Sequence, residues 1–102
     1  MAPPEKETRL DQEGLTRLLA SGEWRREGNV ITRTFTFNGF KGAMAFANRV
    51  ADAATKANHH PDIHVERYRM VRIVLTTHAT DGISDADVEL ARRIDELEAS
   101  PA

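Results

Sequence analysis

Residues 42–78 read GAMAFANRVADAATKANHHPDIHVERYRMVRIVLTTH, and the hydrophobic period changes inside that stretch. Ala43, Phe46, Ala47, Val50, Ala51 and Ala54 recur at i, i+3, i+4, i+7 spacing, the stripe of an amphipathic helix from Gly42 to about Ala57. Pro61 cannot continue that helix and biases His60 away from the helical region. Beyond it, Ile63 to Tyr68 and Met70 to Thr77 read as a strand pair, with Val71, Ile73 and Leu75 on one side and Arg72, Val74 and Thr76 on the other. A helix leaving through a stiff turn into a hairpin sets His59 and His60 at the exit and His78 where the second strand ends.

The flanks extend this pattern in both directions. Upstream, Val30 to Phe37 reads as a strand with Ile31, Phe35 and Phe37 on one face and Thr32, Thr34 and Thr36 on the other. The Glu27-Gly28-Asn29 turn joins it to a short strand over Glu23 to Arg26. Before these, Leu10, Leu15, Leu18 and Leu19 recur at helical spacing, and Gly22 stops the helix. Downstream, Gly82 breaks the chain and Ser84 opens a last helix with Leu90, Ala91, Ile94 and Leu97 inward. Residues 1–8 are expected as a loose tail, 9–98 as a single domain and 99–102 as a C-terminal tail. The order α-β-β-α-β-β-α predicts an α+β fold of two layers, a four-stranded antiparallel sheet with helices on one face. The opposite face should carry the threonines, Arg33 or Arg72, and the histidine region, and the sheet edges are candidates for pairing with another subunit.

Composition excludes several classes of function. The 102 residues carry 14 Lys+Arg against 16 Asp+Glu, so no basic face argues for direct nucleic-acid binding. There is no cysteine, which removes disulfides, thiolate catalysis and Cys-ligated metals. No apolar run approaches the ~20 residues that span a bilayer, and the N-terminus lacks the apolar core of a secretory signal. The expectation is a soluble cytoplasmic protein with no membrane association.

Every imidazole of the chain lies between His59 and His78. Imidazole is the side chain that titrates nearest neutrality, so the cluster is a natural proton-transfer site. His60 and His64 have the spacing of a helical metal pair, but Pro61 breaks the helix between them and no carboxylate completes a set, so no metal is expected. His64 reads as a solvent-facing strand residue. Ser84-x-x-Asp87 reads as a capping box, which competes with any role for Asp87 in the site. Trp24 reads as core or pocket wall.

His59-His60-Pro61, six residues, Tyr68, nine residues, His78, eight residues and Asp87 together resemble the pattern of the pterin-4a-carbinolamine dehydratases. Thr77 to Asp87 is similar to that family's Thr-His-x-x-x-Gly-Leu-Ser-x-x-Asp segment, and Trp24 with Phe35-x-Phe37 looks like its N-terminal half. The resemblance covers roughly residues 10–98. One position departs from it: Thr55 stands where the family usually has a glutamate, so a carboxylate that could raise an imidazole pKa is missing there.

The resemblance implies removal of water from 4a-hydroxytetrahydrobiopterin to give quinonoid dihydropterin, with no cofactor because the pterin is the substrate. It implies His59 and His78 as the acid/base pair and His60 mainly in binding and orientation. Asn58, Thr76, Thr77 and the Ala79 backbone are implied as further substrate contacts, with Asp87 and Trp24 as supporting residues. It also implies a homodimer or homotetramer. The competing expectation is a non-enzymatic scaffold, a dimerisation or assembly cofactor on the same fold.

Overall fold

A computed structural model describes residues 5–99. Three helices, α1 (Gln12–Ala20), α2 (Phe40–Ala57) and α3 (Asp85–Ala99), cover one face of a four-stranded sheet made of β1 (Arg25–Glu27), β2 (Val30–Thr36), β3 (Asp62–Glu66) and β4 (Met70–Leu75). The strand order is β1-β2-β4-β3 and every neighbouring pair is antiparallel, so β1 and β3 are the edges. The expected α-β-β-α-β-β-α order and the two-layer α+β fold are those observed. Residues 1–4 and 100–102 of the expected tails lie outside the described residues. Residues Glu5–Glu7, expected as part of the loose tail, form one 3-10 turn that packs on α3.

Alternation on the central strands decides which face is covered. Ile31 and Phe35 of β2 and Val71, Ile73 and Leu75 of β4 are buried under the helices, while Thr34 and Thr36 are exposed on the open face. Phe46 of α2 joins them, 4.7 Å from Phe35 between ring centroids. The stripe on α2 differs from the expected one at a single position: Ala53 is buried and Ala51 is exposed. The α-helix advances by 100° per residue, which sets position 53 beside Phe46 and nearer the centre of the stripe than position 51.

Arg33 corrects the reading of the sheet faces. It alternates with Ile31 and Phe35 and therefore lies on the helix side, where its guanidinium stacks 4.2 Å from the Phe35 ring centroid and binds Asp95 of α3 at 2.7 Å. Arg72 is the arginine of the open face, paired with Glu66 at 3.0 Å. The β3–β4 strands are also shorter than expected. Arg67 and Tyr68 have φ of 49° and 58°, a turn rather than strand, and Tyr68 stands exposed there.

Candidate functional site

The site is built where α2 ends. Asn58 adopts the left-handed conformation (φ 51°, ψ 42°), a region asparagine tolerates better than most residues. Its N–H bonds the Thr55 carbonyl, and the next N–H, that of His59, reaches back to the Ala54 carbonyl at 3.1 Å. This reversal turns His59 inward, and Pro61 then carries His60 outward toward β3. The sheet register, with Asp62 opposite Val74, sets residues 58–61 beside the end of β4. There a 3-10 turn over His78–Thr80 leads to the Thr77–Gly82 bridge and the start of α3.

Asn58, His59, His60, Thr76, Thr77, His78 and Ala79 thus line one cleft of about 430 Å³, together with Glu7, Pro61 and Asp62. That volume lies within the range of small-molecule sites. The cleft sits at the end of the sheet beside the helix layer, not on the open sheet face where the histidines were expected. The reason is the inward turn of His59 and the helical position of its partner, Asp87. A smaller cleft of about 250 Å³ lies beside it, sharing Glu7, Asn58 and His59 and walled by Ala53, Ala57 and Leu90.

His59 is 7 % exposed, whereas His60 and His78 are exposed at the cleft. The Nε2 atom of His59 lies 2.6 Å from Oδ1 of Asp87, a residue with no exposed surface. The other Asp87 oxygen accepts from the Thr77 hydroxyl at 2.6 Å and from the Ser84 N–H at 2.9 Å. Thr77 gives its one hydroxyl proton to Asp87, so the Ser84 hydroxyl donates to Thr77 across 2.7 Å. Half of the expected capping box therefore forms: Asp87 caps the Ser84 amide, while the Ser84 hydroxyl turns to Thr77. One Asp87 oxygen thus serves the cap and the other contacts His59.

On its other side, Nδ1 of His59 lies 3.3 Å from Oε1 of Glu7. The hydrogen bond to Asp87 raises the His59 pKa above its ordinary 6.5, burial opposes this, and the charges of Asp87 and Glu7 together with the Glu7 hydrogen bond add to the rise. An imidazole with a carboxylate at each nitrogen is suited to the imidazolium form, in which both nitrogens donate. Glu7 was not among the residues expected from the sequence, and 52 positions separate it from His59.

The remaining expected residues are placed as follows. The Thr76 hydroxyl donates to the Asn29 carbonyl at 2.7 Å, so both threonine hydroxyls serve the frame of the cleft. Trp24 is buried in the core and donates from Nε1 to Asp95 at 2.9 Å; it does not line the cleft, because β1 stands at the far side of the sheet from β3. Thr55 is exposed and its hydroxyl bonds the Ala51 carbonyl at 2.9 Å within α2. His64 is exposed on β3. Among the described residues, no group of three or more His, Asp or Glu is placed to hold a metal ion, and no helix is long and apolar enough to cross a membrane.

Comparison with known proteins bears on the family and the fold. A protein of Thermomicrobium roseum, provisionally named pterin-4-alpha-carbinolamine dehydratase, is 47 % identical over 90 residues, 87 % of this chain and 96 % of its own. One of Sulfurisphaera tokodaii with the same provisional name is 51 % identical over 74 residues, 72 % of this chain and 78 % of its own. Among solved structures, a transcriptional coactivator/pterin dehydratase of Brucella melitensis superposes with a TM-score of 0.76 at 29 % identity, covering 88 % of this chain and 98 % of that one. A pterin dehydratase-like protein identified as a RuBisCO assembly factor of the alpha-carboxysome gives 0.64 at 28 % identity, over 78 % and 93 % of the two chains. The family model for pterin 4 alpha carbinolamine dehydratase matches residues 8–97, and the chain belongs to that family.

Proposed function

We propose that the protein is a 4a-hydroxytetrahydrobiopterin dehydratase, a carbon–oxygen lyase that recycles the pterin cofactor of aromatic amino acid hydroxylases in the cytoplasm. The observation that carries this reading is one buried, carboxylate-flanked histidine meeting two exposed ones across a single cleft. In the reaction the C4a–O bond breaks as a proton is delivered to the leaving hydroxyl. The proton on the adjacent ring nitrogen is taken up, and a C=N bond forms, releasing water and quinonoid dihydropterin. No electron is gained or lost, so imidazoles suffice and the pterin is substrate rather than cofactor.

His59 is assigned as the acid, because a carboxylate at each ring nitrogen favours its protonated form and raises its pKa. Its contact with Glu7 is longer than that with Asp87, so it is the Nδ1 proton that a substrate oxygen can share. His78, exposed across the cleft, takes the ring proton in its neutral form, and His60 orients the substrate. Asn58 and the Ala79 backbone edge the same cleft as polar contacts. A homodimer or homotetramer, paired through sheet edges, completes the proposal.

The alternative is a non-enzymatic assembly or dimerisation role. It is favoured by Phe40 and Met44, two large apolar side chains exposed one turn apart on α2, and by the names of the two structural relatives. Dehydration of chemically generated 4a-hydroxytetrahydropterin, followed with wild type and His78→Ala, decides between them. At least a tenfold loss in the variant is expected. A wild type no faster than the buffer reaction would overturn the enzyme reading.

A further inference from the structure

The His59 ring is held from two elements far apart in sequence, Asp87 in the first turn of α3 and Glu7 in the N-terminal 3-10 turn. The second of these is not a chance approach of a dangling end, because the chain is tied to α3 on both sides of Glu7. Before it, Lys6 Nζ pairs with Glu89 at 2.9 Å. After it, the Arg9 carbonyl accepts from the Asp85 N–H at 2.9 Å, and the Asp11 N–H donates to the Asp85 carboxylate at 2.7 Å. The Glu7 side chain is only 21 % exposed, and it borders both the histidine cleft and the smaller cleft beside it.

We propose that Glu7 is a positioning residue that clamps the His59 imidazolium from the side opposite Asp87, which makes the N-terminal segment part of the site. Asp87 holds one edge of the ring and by itself would leave the Nδ1 proton without a protein acceptor. Glu7 closes that edge with a second negative charge. The other charged or titratable groups around the ring are His60, Asp62 and His78 in the larger cleft and Lys6, Glu89 and Arg93 in the smaller one. Of all these, Glu7 and Asp87 are the ones within hydrogen-bond distance of the imidazole. As a contribution to turnover the clamp rests on the dehydratase reading; as a contact it does not.

The test is a titration of the His59 ring by NMR in the full chain, for wild type, Glu7→Gln and Glu7→Ala. Glutamine retains the acceptor oxygen and removes the charge, so it isolates the electrostatic part. Glu96→Gln is the control of equal charge change, nine residues along α3 from Asp87 or about 13 Å. The midpoint is expected to fall by roughly half to one pH unit in Glu7→Gln and at least as far in Glu7→Ala, and to hold in the control. The basic limb of the kcat/KM profile for dehydration, which follows loss of the acid's proton in the free enzyme, should move down by the same amount. A His59 midpoint unchanged within about 0.2 units in both Glu7 variants would overturn the clamp. An active enzyme whose basic limb stays in place would overturn its role in turnover. A shifted midpoint in a protein without dehydratase activity would support the clamp and refute the dehydratase reading instead.

Discussion

Replacing Asp87 by asparagine keeps the shape of a side chain with no exposed surface and removes its charge. The wild-type carboxylate accepts from three donors: His59 on one oxygen, Thr77 and the Ser84 amide on the other. The asparagine has one acceptor oxygen, and the two donors at Oδ2 claim it. Its amide NH₂ then faces His59 Nε2, which must become an acceptor. The substitution therefore drives His59 to the neutral ring carrying its proton on Nδ1, toward Glu7. A charge-assisted bond worth about 1.5–3 kcal/mol gives way to a neutral one of about 1 kcal/mol. The imidazolium thus loses about 0.5–2 kcal/mol of stabilisation, and the His59 pKa falls.

The sign of the stability change follows from the direction of the shift. In wild type the folded pKa of His59 lies above its unfolded 6.5. Its contribution is complete below 6.5 and is lost as pH rises through the higher folded value. Asp87→Asn removes much of that contribution at low pH and progressively less as pH rises and the ring loses its proton. Urea unfolding at about pH 5.5 and pH 8.5 should thus show a destabilisation larger at the lower pH by roughly 0.5–2 kcal/mol. Equal destabilisation at both pH values would refute the charged His59–Asp87 pair. Dehydration should fall with it, because the acid no longer holds its proton.

Other outcomes follow from single contacts. His60→Ala and His64→Ala, both at exposed positions, should each leave stability within about 0.5 kcal/mol, and only the first should weaken substrate binding in KM. Asn58→Gly should be nearly neutral in a thermal melt while Asn58→Ala costs about 1 kcal/mol, because the position requires φ of 51°. Sedimentation at micromolar concentration should show a dimer or tetramer, and an 11.4 kDa monomer alone would refute pairing through the edges of β1 and β3.

The fold was legible because its signals are periodic and local. The stripe on α2, the alternation on β2 and β4 and the break at Pro61 each depend on neighbours within a few positions. What escaped depends on partners distant in sequence. Of Arg33 and Arg72, both candidates for the open face, alternation with Ile31 and Phe35 sets Arg33 on the helix side, and distant Asp95 is what pairs it there. Trp24 reads as core or pocket wall, and its burial with the indole N–H on Asp95 settles it as core. The strand toward Tyr68 stops early because a tight turn needs two residues at positive φ, and neither Arg67 nor Tyr68 signals that. One local signal was present and unused: asparagine directly after a helical stripe marks a left-handed helix end, and that is the conformation of Asn58.

The site shows the same division. His59, His60 and His78 come from one stretch, and their convergence follows from a helix exit lying beside a strand end. The family resemblance implies a carboxylate four residues before His59, where Thr55 stands. The chain instead brings a carboxylate across space from the N-terminal turn, and no spacing rule reaches over 52 residues.

Why a chain of this size keeps an ion pair in its interior is the remaining question. Burying a carboxylate and an imidazolium is costly, and apolar replacements of similar volume are often as stable or more so. Stability alone gives no reason for His59 and Asp87 to face each other at 7 % and 0 % exposure. Nor does capping, since one Asp87 oxygen and the Ser84 amide already supply the cap. The second oxygen is spent on His59 alone. That contact lowers the freedom of a ring whose other nitrogen borders a cleft with two more imidazoles, and it favours the protonated ring. A fixed proton donor at a cleft is useful to a reaction that must protonate a leaving group, and it has no use in a core. The energetic cost of the pair therefore argues for chemistry at His59.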